Sequence, residues 1–179
     1  MSRSVAANRY ALALFEVTRE QGKLDPVQGD MRELRKVFRE SADLRALLGS
    51  PKISGSKKKE MLKGLFAGAD ILTVNLLQVL VDAQRISEAA DVADEFIEMA
   101  NESAGIAEAK VYSTRPLTEE EQQELSTVFA GKVGKQSLRI DNIVDPSLIG
   151  GVRIRIGNRI YDNSLKTKLD HLKRDLVNA

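Results

Sequence analysis

The amino-acid sequence predicts an α+β protein that is mainly α-helical: an antiparallel six-helix bundle over residues 1–105, then a small α/β domain over residues 106–179 that contains a hairpin. Apolar residues recur at helical spacing through the first hundred residues. Near Gly105 the pattern changes to the alternation of half-buried strands. Gly157 and Asn158 then separate two alternating runs, which is the spacing of a two-residue hairpin turn.

Capping residues and helix breakers delimit the first three helices. Ser4 is placed to cap the first helix and Gly22 to end it. Asp25 and Pro26 are predicted as the N-cap and first residue of the second helix. Ser41 is predicted to cap a short third helix. The apolar positions that define these helices are Val5, Tyr10, Leu12, Ala13, Leu14, Phe15, Val17, Val27, Met31, Leu34, Val37, Phe38, Leu44, Leu47 and Leu48.

Three further helices follow a polar, basic connection. Ser54 or Ser56 opens the fourth helix, and Asp70 precedes the fifth. The fifth helix is apolar over much of its circumference, so it is either central in the bundle or faces a partner. A break at Arg85-Ile86-Ser87 separates it from the sixth helix. The short connections favour antiparallel neighbours.

The second part of the chain reads as a small sheet with two helices. A strand is predicted from Ile106 and another from Leu138 to Val144. Between them Thr118-x-x-Glu121 forms a capping-box pattern that opens a helix. Ser164 is predicted to cap the last helix, whose apolar positions are Leu165, Leu169, Leu172, Leu176 and Val177.

Composition limits the classes of function. The chain has 179 residues, of which 42% are hydrophobic and 30% charged, which indicates a folded protein rather than a disordered one. The 27 Lys and Arg residues nearly balance the 26 Asp and Glu residues, whereas general nucleic-acid binders carry a basic excess. No cysteine is present, which excludes disulfides and thiolate chemistry. The most apolar segment, residues 71–81, is too short to span a bilayer.

The residues that could carry catalysis are few and scattered. His171, the single histidine, lies in a charged terminal helix and is interpreted as a solvated side chain rather than a general base or metal ligand. The run Glu119-Glu120-Glu121 falls in the first turn of a helix, where the helix dipole favours acids. Phosphate-binding loops and nucleophile elbows are missing from the sequence. We therefore predict a protein that is not an enzyme and that has no cofactor or metal site.

Two surfaces remain as candidates for binding partners. Arg153, Arg155 and Arg159 on the predicted hairpin form the best nucleic-acid candidate, with Tyr161 as the aromatic residue near them. This leaves an RNA- or ribosome-associated adaptor as the alternative function. The other candidate is a groove between the first and fifth helices, in which an amphipathic helix of a partner could lie. From composition alone, a fully buried fifth helix explains the same pattern equally well.

A segment around the hairpin resembles a known family. Residues 143–158 read IVDPSLIGGVRIRIGN, an apolar–acidic step, an apolar residue, Gly-Gly, an alternating strand and a glycine turn. This pattern is similar to that of the delta subunit of F-type ATP synthases, whose mitochondrial relative is the oligomycin-sensitivity-conferring protein. Residues 7–15, 75–85 and 160–165 resemble the family's opening helix, its fifth helix and its entry into the last helix. Gln84 stands where relatives carry Asn or Gly.

The resemblance implies a non-catalytic stator subunit. In this family the helical domain grips N-terminal helical segments of alpha subunits on top of the alpha/beta crown, and the second domain meets the b subunits of the peripheral stalk. It implies one copy per complex, at the cytoplasmic face of the cell membrane, during proton- or sodium-driven ATP synthesis. No nucleic acid is expected, and contact with the membrane is expected only through the complex. By position, the resemblance places the alpha-binding groove at Tyr10, Ala13, Leu14, Leu76, Val79, Leu80 and Ala83.

Overall fold

The fold was analysed in a computed structural model, which describes residues 4–177 apart from the side chains of residues 170–172 and 175–177. Helices lead the chain and a four-stranded sheet follows. The helices are α1 (Val5–Glu20), α2 (Leu24–Glu40), α3 (Ala42–Gly49), α4 (Gly55–Leu65), α5 (Ile71–Asp82), α6 (Ala89–Ser103), α7 (Glu119–Lys132) and α8 (Leu165–Val177). The strands are β1 (Ile106–Ser113), β2 (Ser137–Val144), β3 (Val152–Ile156) and β4 (Arg159–Asp162). The prediction of an α+β, mainly helical protein is confirmed.

The chain divides into two compact units, Met1–Ala100 and Asn101–Ala179. The helical unit is built on one continuous apolar core. Large side chains of α2, α5 and α6 are fully buried there, among them Met31, Phe38, Leu80 and Phe96. Burial of such side chains contributes roughly 1.5–3 kcal/mol each, which is the main source of stability in a unit without disulfides.

The second unit is a mixed sheet with the strand order β2-β1-β3-β4. β1 and β2 are parallel, and α7 makes the crossover that parallel neighbours require. β1 pairs with β3 and β3 with β4 in antiparallel register, with Ile156 opposite Arg159 across Gly157 and Asn158. The small core of this unit centres on Ala109, Val111 and Ile154.

Local capping chemistry sets most of the helix ends. The side chains of Ser4, Ser54 and Asp70 each accept a hydrogen bond from a backbone N–H of the first turn, and Thr118 and Glu121 form the complete capping box. Ser164 accepts from the Thr167 N–H at 3.3 Å. These predictions are confirmed.

Two predicted helix starts need correction. The second helix begins at Leu24, with Lys23 at the N-cap position, so Asp25 and Pro26 lie inside the first turn. Proline is tolerated there because first-turn N–H groups have no intrahelical partner in any case. Ser41 occupies the N-cap position of α3, but its side chain makes no capping hydrogen bond.

Candidate partner-binding groove

One side of α1 carries an apolar stripe that the core covers only in part. Ala6, Tyr10, Ala13 and Val17 are spaced by four, three and four residues, which places them on one flank of the helix. Tyr10 is partly buried against the core, Ala13 is exposed and Val17 retains 39% of its surface. The buried face of α1 is formed instead by Ala7, Ala11, Leu14 and Thr18.

A matching stripe runs along α5. Leu72, Leu76, Val79 and Ala83 have the same spacing of four, three and four residues. Leu76 is buried and Leu72 is partly buried, whereas Val79 is 50% exposed and Ala83 is exposed. The α5 stripe therefore runs from buried to exposed apolar positions, whereas the α1 stripe is partly buried or exposed along its length.

Polar contacts fix the direction in which the two helices run. Lys23, just after α1, donates to Asp70 at the start of α5 across 2.9 Å, and Ser4 at the start of α1 donates to Glu88 just after α5 across 2.7 Å. The α1 and α5 helices pack against each other. The two helices are consequently antiparallel. Because the spacing of four, three and four residues is the same in either direction, the residues of the two stripes recur at matching intervals.

The start of α5 is held by two carboxylates. Asp70 caps its own helix through the Leu72 N–H at 2.9 Å, and Asp30 of α2 accepts from the Asp70 N–H and from the buried Thr73 hydroxyl, both at 2.8 Å. The Leu72 hydrogen bond and Lys23 lower the pKa of Asp70 below its ordinary value. Negative charge at a helix N-terminus is favourable, so both carboxylates stabilise the start of α5. The hydrogen bonds of Asp30 also connect α2 to the first turn of α5.

The structure separates the seven residues expected in the groove into two groups. Ala13, Val79 and Ala83 are exposed, and Tyr10 is partly buried. The remaining three belong to the core: Leu14 at 7%, Leu76 at 8% and Leu80 at 0% exposure. Ala6, Val17 and Leu72 extend the two stripes at the same four-three-four spacing.

The basic hairpin does not form the surface expected for RNA. Side chains of directly paired residues lie on the same face of a sheet and alternate along a strand. Arg153 and Arg155 therefore share one face, whereas Arg159, paired with Ile156, lies on the other. The three arginines therefore lie on two opposite faces of the sheet and do not form one basic surface.

Each hairpin arginine also has a partner within the fold. Arg155 donates through Nε to the Gly157 carbonyl at 3.3 Å. Arg153 is 3.4 Å from an Asp145 oxygen and lies over the Tyr112 ring, with 4.6 Å between Cζ and the centroid. Arg159 donates to the carbonyl of Lys132 at the end of α7. Tyr161, expected beside the arginines, instead packs edge-to-face on Phe129 of α7. The hairpin arginines therefore make contacts within the protein that do not require RNA.

The candidates for catalysis assemble into no site within the described residues. Glu121 is bound by Arg115, which together with the Thr118 N–H lowers the pKa of the Glu121 carboxyl to about 2. Groups of three or more potential metal ligands are not found among the residues that the structure describes. The side chain of His171 lies outside them.

A family model for the ATP synthase delta (OSCP) subunit matches residues 6–176, nearly the whole chain. The chain belongs to the ATP synthase delta (OSCP) family. It is therefore a non-catalytic peripheral-stalk subunit of an F-type ATP synthase, and the RNA alternative is not supported. Within the described part of this subunit, no helix is long and apolar enough to cross a membrane.

Relatives agree with this delta-family assignment along their full length. ATP synthase subunit delta of Geobacillus sp. (strain WCH70) is 48% identical over 177 residues, covering 99% of both chains. That of Lysinibacillus sphaericus is 46% identical over 177 residues, again with 99% of both chains covered. A chain of the Toxoplasma gondii mitochondrial ATP synthase hexamer superimposes with a TM-score of 0.67 at 27% identity, covering 97% of this chain and 98% of that one.

Proposed function

We propose that the chain joins two stationary parts of the ATP synthase, each through one of its two units. Residues 1–105, taken as an antiparallel six-helix bundle, bind N-terminal helical segments of alpha subunits. Residues 106–179, the α/β domain with its hairpin, bind the b subunits. One copy serves each complex at the cytoplasmic face of the membrane, and the chain meets the membrane only through its partners.

The observation that carries this proposal is the pair of apolar stripes on α1 and α5. Each stripe spans three helical turns, about 16 Å at 1.5 Å per residue. Two packed antiparallel helices that both present half-exposed apolar side chains can accept the apolar face of a third helix between them. Val79 and Ala83 on α5, with Ala13 and Val17 on α1, are the exposed stripe positions that such a helix would cover.

A helix-in-groove contact also suits a joint that must resist torque. Affinity differences between related complexes arise mostly in dissociation rates. Apolar surface removed from water contributes roughly 25 cal/mol per Å2. Because this contribution does not depend on charge, the joint is expected to persist over a wide range of ionic strength.

The test is a calorimetric titration of the full chain with a synthetic peptide from the alpha-subunit N-terminus of the same organism. Val79→Asp places a carboxylate at the centre of the α5 edge. It should weaken binding by about tenfold or more, which corresponds to at least 1.4 kcal/mol. Because Val79 is half exposed, the circular dichroism spectrum should stay unchanged.

Leu65→Asp is the matched control. Leu65 is 53% exposed, close to the 50% of Val79, and lies on α4. α4 approaches α5 at Gly55 and Val81, and Val81 is on the side of α5 opposite the stripe. This variant should bind the peptide like the wild type. Equal losses in both variants, or no binding by the folded wild type, would show that the groove is not the alpha site.

A further inference from the structure

β2 is an edge strand, and one of its two sides has no neighbouring strand. β1 pairs with the other side of β2 in parallel register. In such a ladder the N–H and carbonyl of one residue point to the same side, and the side alternates from residue to residue. The Asp145 N–H, just after β2, donates to the Ser113 carbonyl of β1 at 2.7 Å. Odd-numbered residues of β2 therefore face β1, and even-numbered residues direct their backbone groups away from it.

A serine of α7 covers this open side at one point. The Ser126 hydroxyl accepts from the Leu138 N–H at 2.8 Å and donates to the Leu138 carbonyl at 3.3 Å. Leu138 thus points away from β1, as the alternation requires. Both residues are buried. A single side chain satisfies the two backbone groups of Leu138, so no added strand can pair there.

The edge is unpaired at the next two outward positions. By the same alternation, Ile140 and Asn142 turn their N–H and carbonyl groups away from β1. Among the residues that the structure describes, no group forms a hydrogen bond with any of these four. The Asn142 side chain is held elsewhere, since it accepts from the Leu117 N–H at 2.9 Å and donates to the Ser113 hydroxyl at 2.7 Å. β2 therefore presents two donor–acceptor pairs in the arrangement that an added strand uses.

A groove of about 320 Å3 opens between α7 and β2 beside this edge. Its floor is formed by Leu138 and Ile140. Its wall is one flank of α7, on which the lining residues recur at helical spacing. These wall residues are Glu119, Gln122, Gln123 and Ser126. A strand added to β2 would direct every second side chain into this groove.

The charge of the groove favours a basic occupant. Within the described part of the chain, the Glu119 carboxylate and the Gln123 side-chain amide have no partner, whereas the neighbouring Glu121 is bound by Arg115. A Lys or Arg side chain on an added strand would complement Glu119. A second copy of this chain, paired through the same edge, would instead bring another Glu119 to the contact, and like charges oppose that pairing.

We propose that the open edge of β2 is the docking site of an extended segment of a partner protein, which joins the sheet as a fifth strand and carries a Lys or Arg for Glu119. Hydrogen bonds to the backbone of Ile140 and Asn142 supply affinity, and the groove beside α7 selects the side chains. This surface goes beyond the proposed function. Its test is independent of that function, because the probe is a synthetic peptide and the signal comes from this chain.

The test is amide hydrogen exchange of the full chain, followed residue by residue by NMR. In the free chain, the Ile140 and Asn142 amides should exchange at least about tenfold faster than those of Arg139 and Asp141, which point to β1. The probe is a blocked octapeptide of alternating valine and lysine. At saturation it should slow exchange at Ile140 and Asn142 by about tenfold or more. Leu138 should be unaffected, because Ser126 already holds its N–H.

A second peptide separates strand addition from attraction between charges. A blocked octapeptide of alternating proline and lysine has the same charge, but half of its residues lack an N–H and its backbone favours the polyproline II conformation. This peptide should leave exchange at Ile140 and Asn142 unchanged. Equal protection by both peptides would overturn the proposal, since pairing with the backbone would then not be the source of binding.

A matched pair of variants tests the role of Glu119. Glu119→Lys should weaken binding of the valine–lysine peptide about tenfold, measured from the NMR titration. Glu120→Lys makes the same change at the next residue of the same helical turn, outside the residues that line the groove. Both side chains are exposed, so both variants should fold. Glu120→Lys should bind within about threefold of the wild type.

Three results would contradict the proposed site. The first is that the valine–lysine peptide gives no protection at Ile140 and Asn142 in the folded wild type. The second is an equal loss of binding in Glu119→Lys and Glu120→Lys. The third is protection of the two amides before any peptide is added, together with dimers in analytical ultracentrifugation, which would show that a second copy of the chain occupies the edge.

Discussion

The C-terminus of α5 allows a direct test of how backbone conformation limits stability. Gln84 follows this helix at φ 56°. The Arg85 N–H donates to the Leu80 carbonyl at 2.8 Å and the Gln84 N–H to the Val81 carbonyl at 3.0 Å. This is the Schellman pattern, in which the residue at positive φ is usually glycine. We predict that Gln84→Gly stabilises the helical unit.

The end of α1 supplies the matched reverse substitution. There the Lys23 N–H donates to the Thr18 carbonyl at 2.8 Å and the Gly22 N–H to the Arg19 carbonyl at 3.2 Å, with Gly22 at φ 66°. A Cβ added to Gly22 would meet no atom within 4 Å, so Gly22→Gln introduces the backbone cost without a steric clash. The same motif thus carries glycine in one helix and glutamine in the other.

The expected magnitude follows from two opposing effects. The left-handed conformation costs an L-residue about 1–2 kcal/mol. Glycine loses about 0.5–1 kcal/mol more backbone entropy on folding than alanine does. Because Gln84 is exposed, its removal costs little packing, so Gln84→Gly should gain about 0.5–1 kcal/mol. Gly22→Gln should lose a similar amount.

Urea denaturation followed by circular dichroism measures both changes as shifts of the midpoint at constant slope. An unchanged midpoint in Gly22→Gln would show that positive φ carries no measurable cost at this helix end. If Gly22→Gln destabilises but Gln84→Gly does so too, the Gln84 side chain makes a stabilising contact that outweighs its conformation.

Three further changes probe the rest of the fold. Asp30→Ala leaves the buried Thr73 hydroxyl without its acceptor and should cost about 1–3 kcal/mol in urea, whereas Thr73→Val should cost less. Acid should destabilise the second unit as pH falls from about 4.5 towards 2, because the pKa of Glu121 is lower in the folded than in the unfolded protein. In Glu121→Gln the urea midpoint should therefore depend less on pH over this range. Gly151→Ala meets a backbone oxygen and should lower Tm by more than Gly157→Ala, which meets no atom within 4 Å.

Local chemistry made much of the secondary structure predictable. Ser4, Ser54, Thr118 and Ser164 cap helices through hydrogen bonds that span only three residues, so the sequence alone contains the whole motif. Pro26 misled the prediction because proline also fits later positions of the first turn, and α2 starts earlier, at Leu24.

Contacts between distant segments could not be predicted in this way. The parallel pairing of β1 with β2, and the β3–β4 register that moves Arg159 to the other face, depend on how separated strands meet. Burial of Leu14 and Leu80 beside the exposed Val79 depends on which side of each helix the core occupies. The positive φ of Ile149 had no signal beyond the two glycines that follow it.

A chain that holds a stationary crown and a stalk at the same time must bind both partners in one complex. The direct measurement is analytical ultracentrifugation of this chain with the alpha/beta crown depleted of it and the extramembranous b segment. We predict a single ternary species with one copy of the chain, and Val79→Asp should lose the crown while it keeps the b segment. Separate binary complexes that never form a ternary species would show that the chain does not bridge the crown and the stalk.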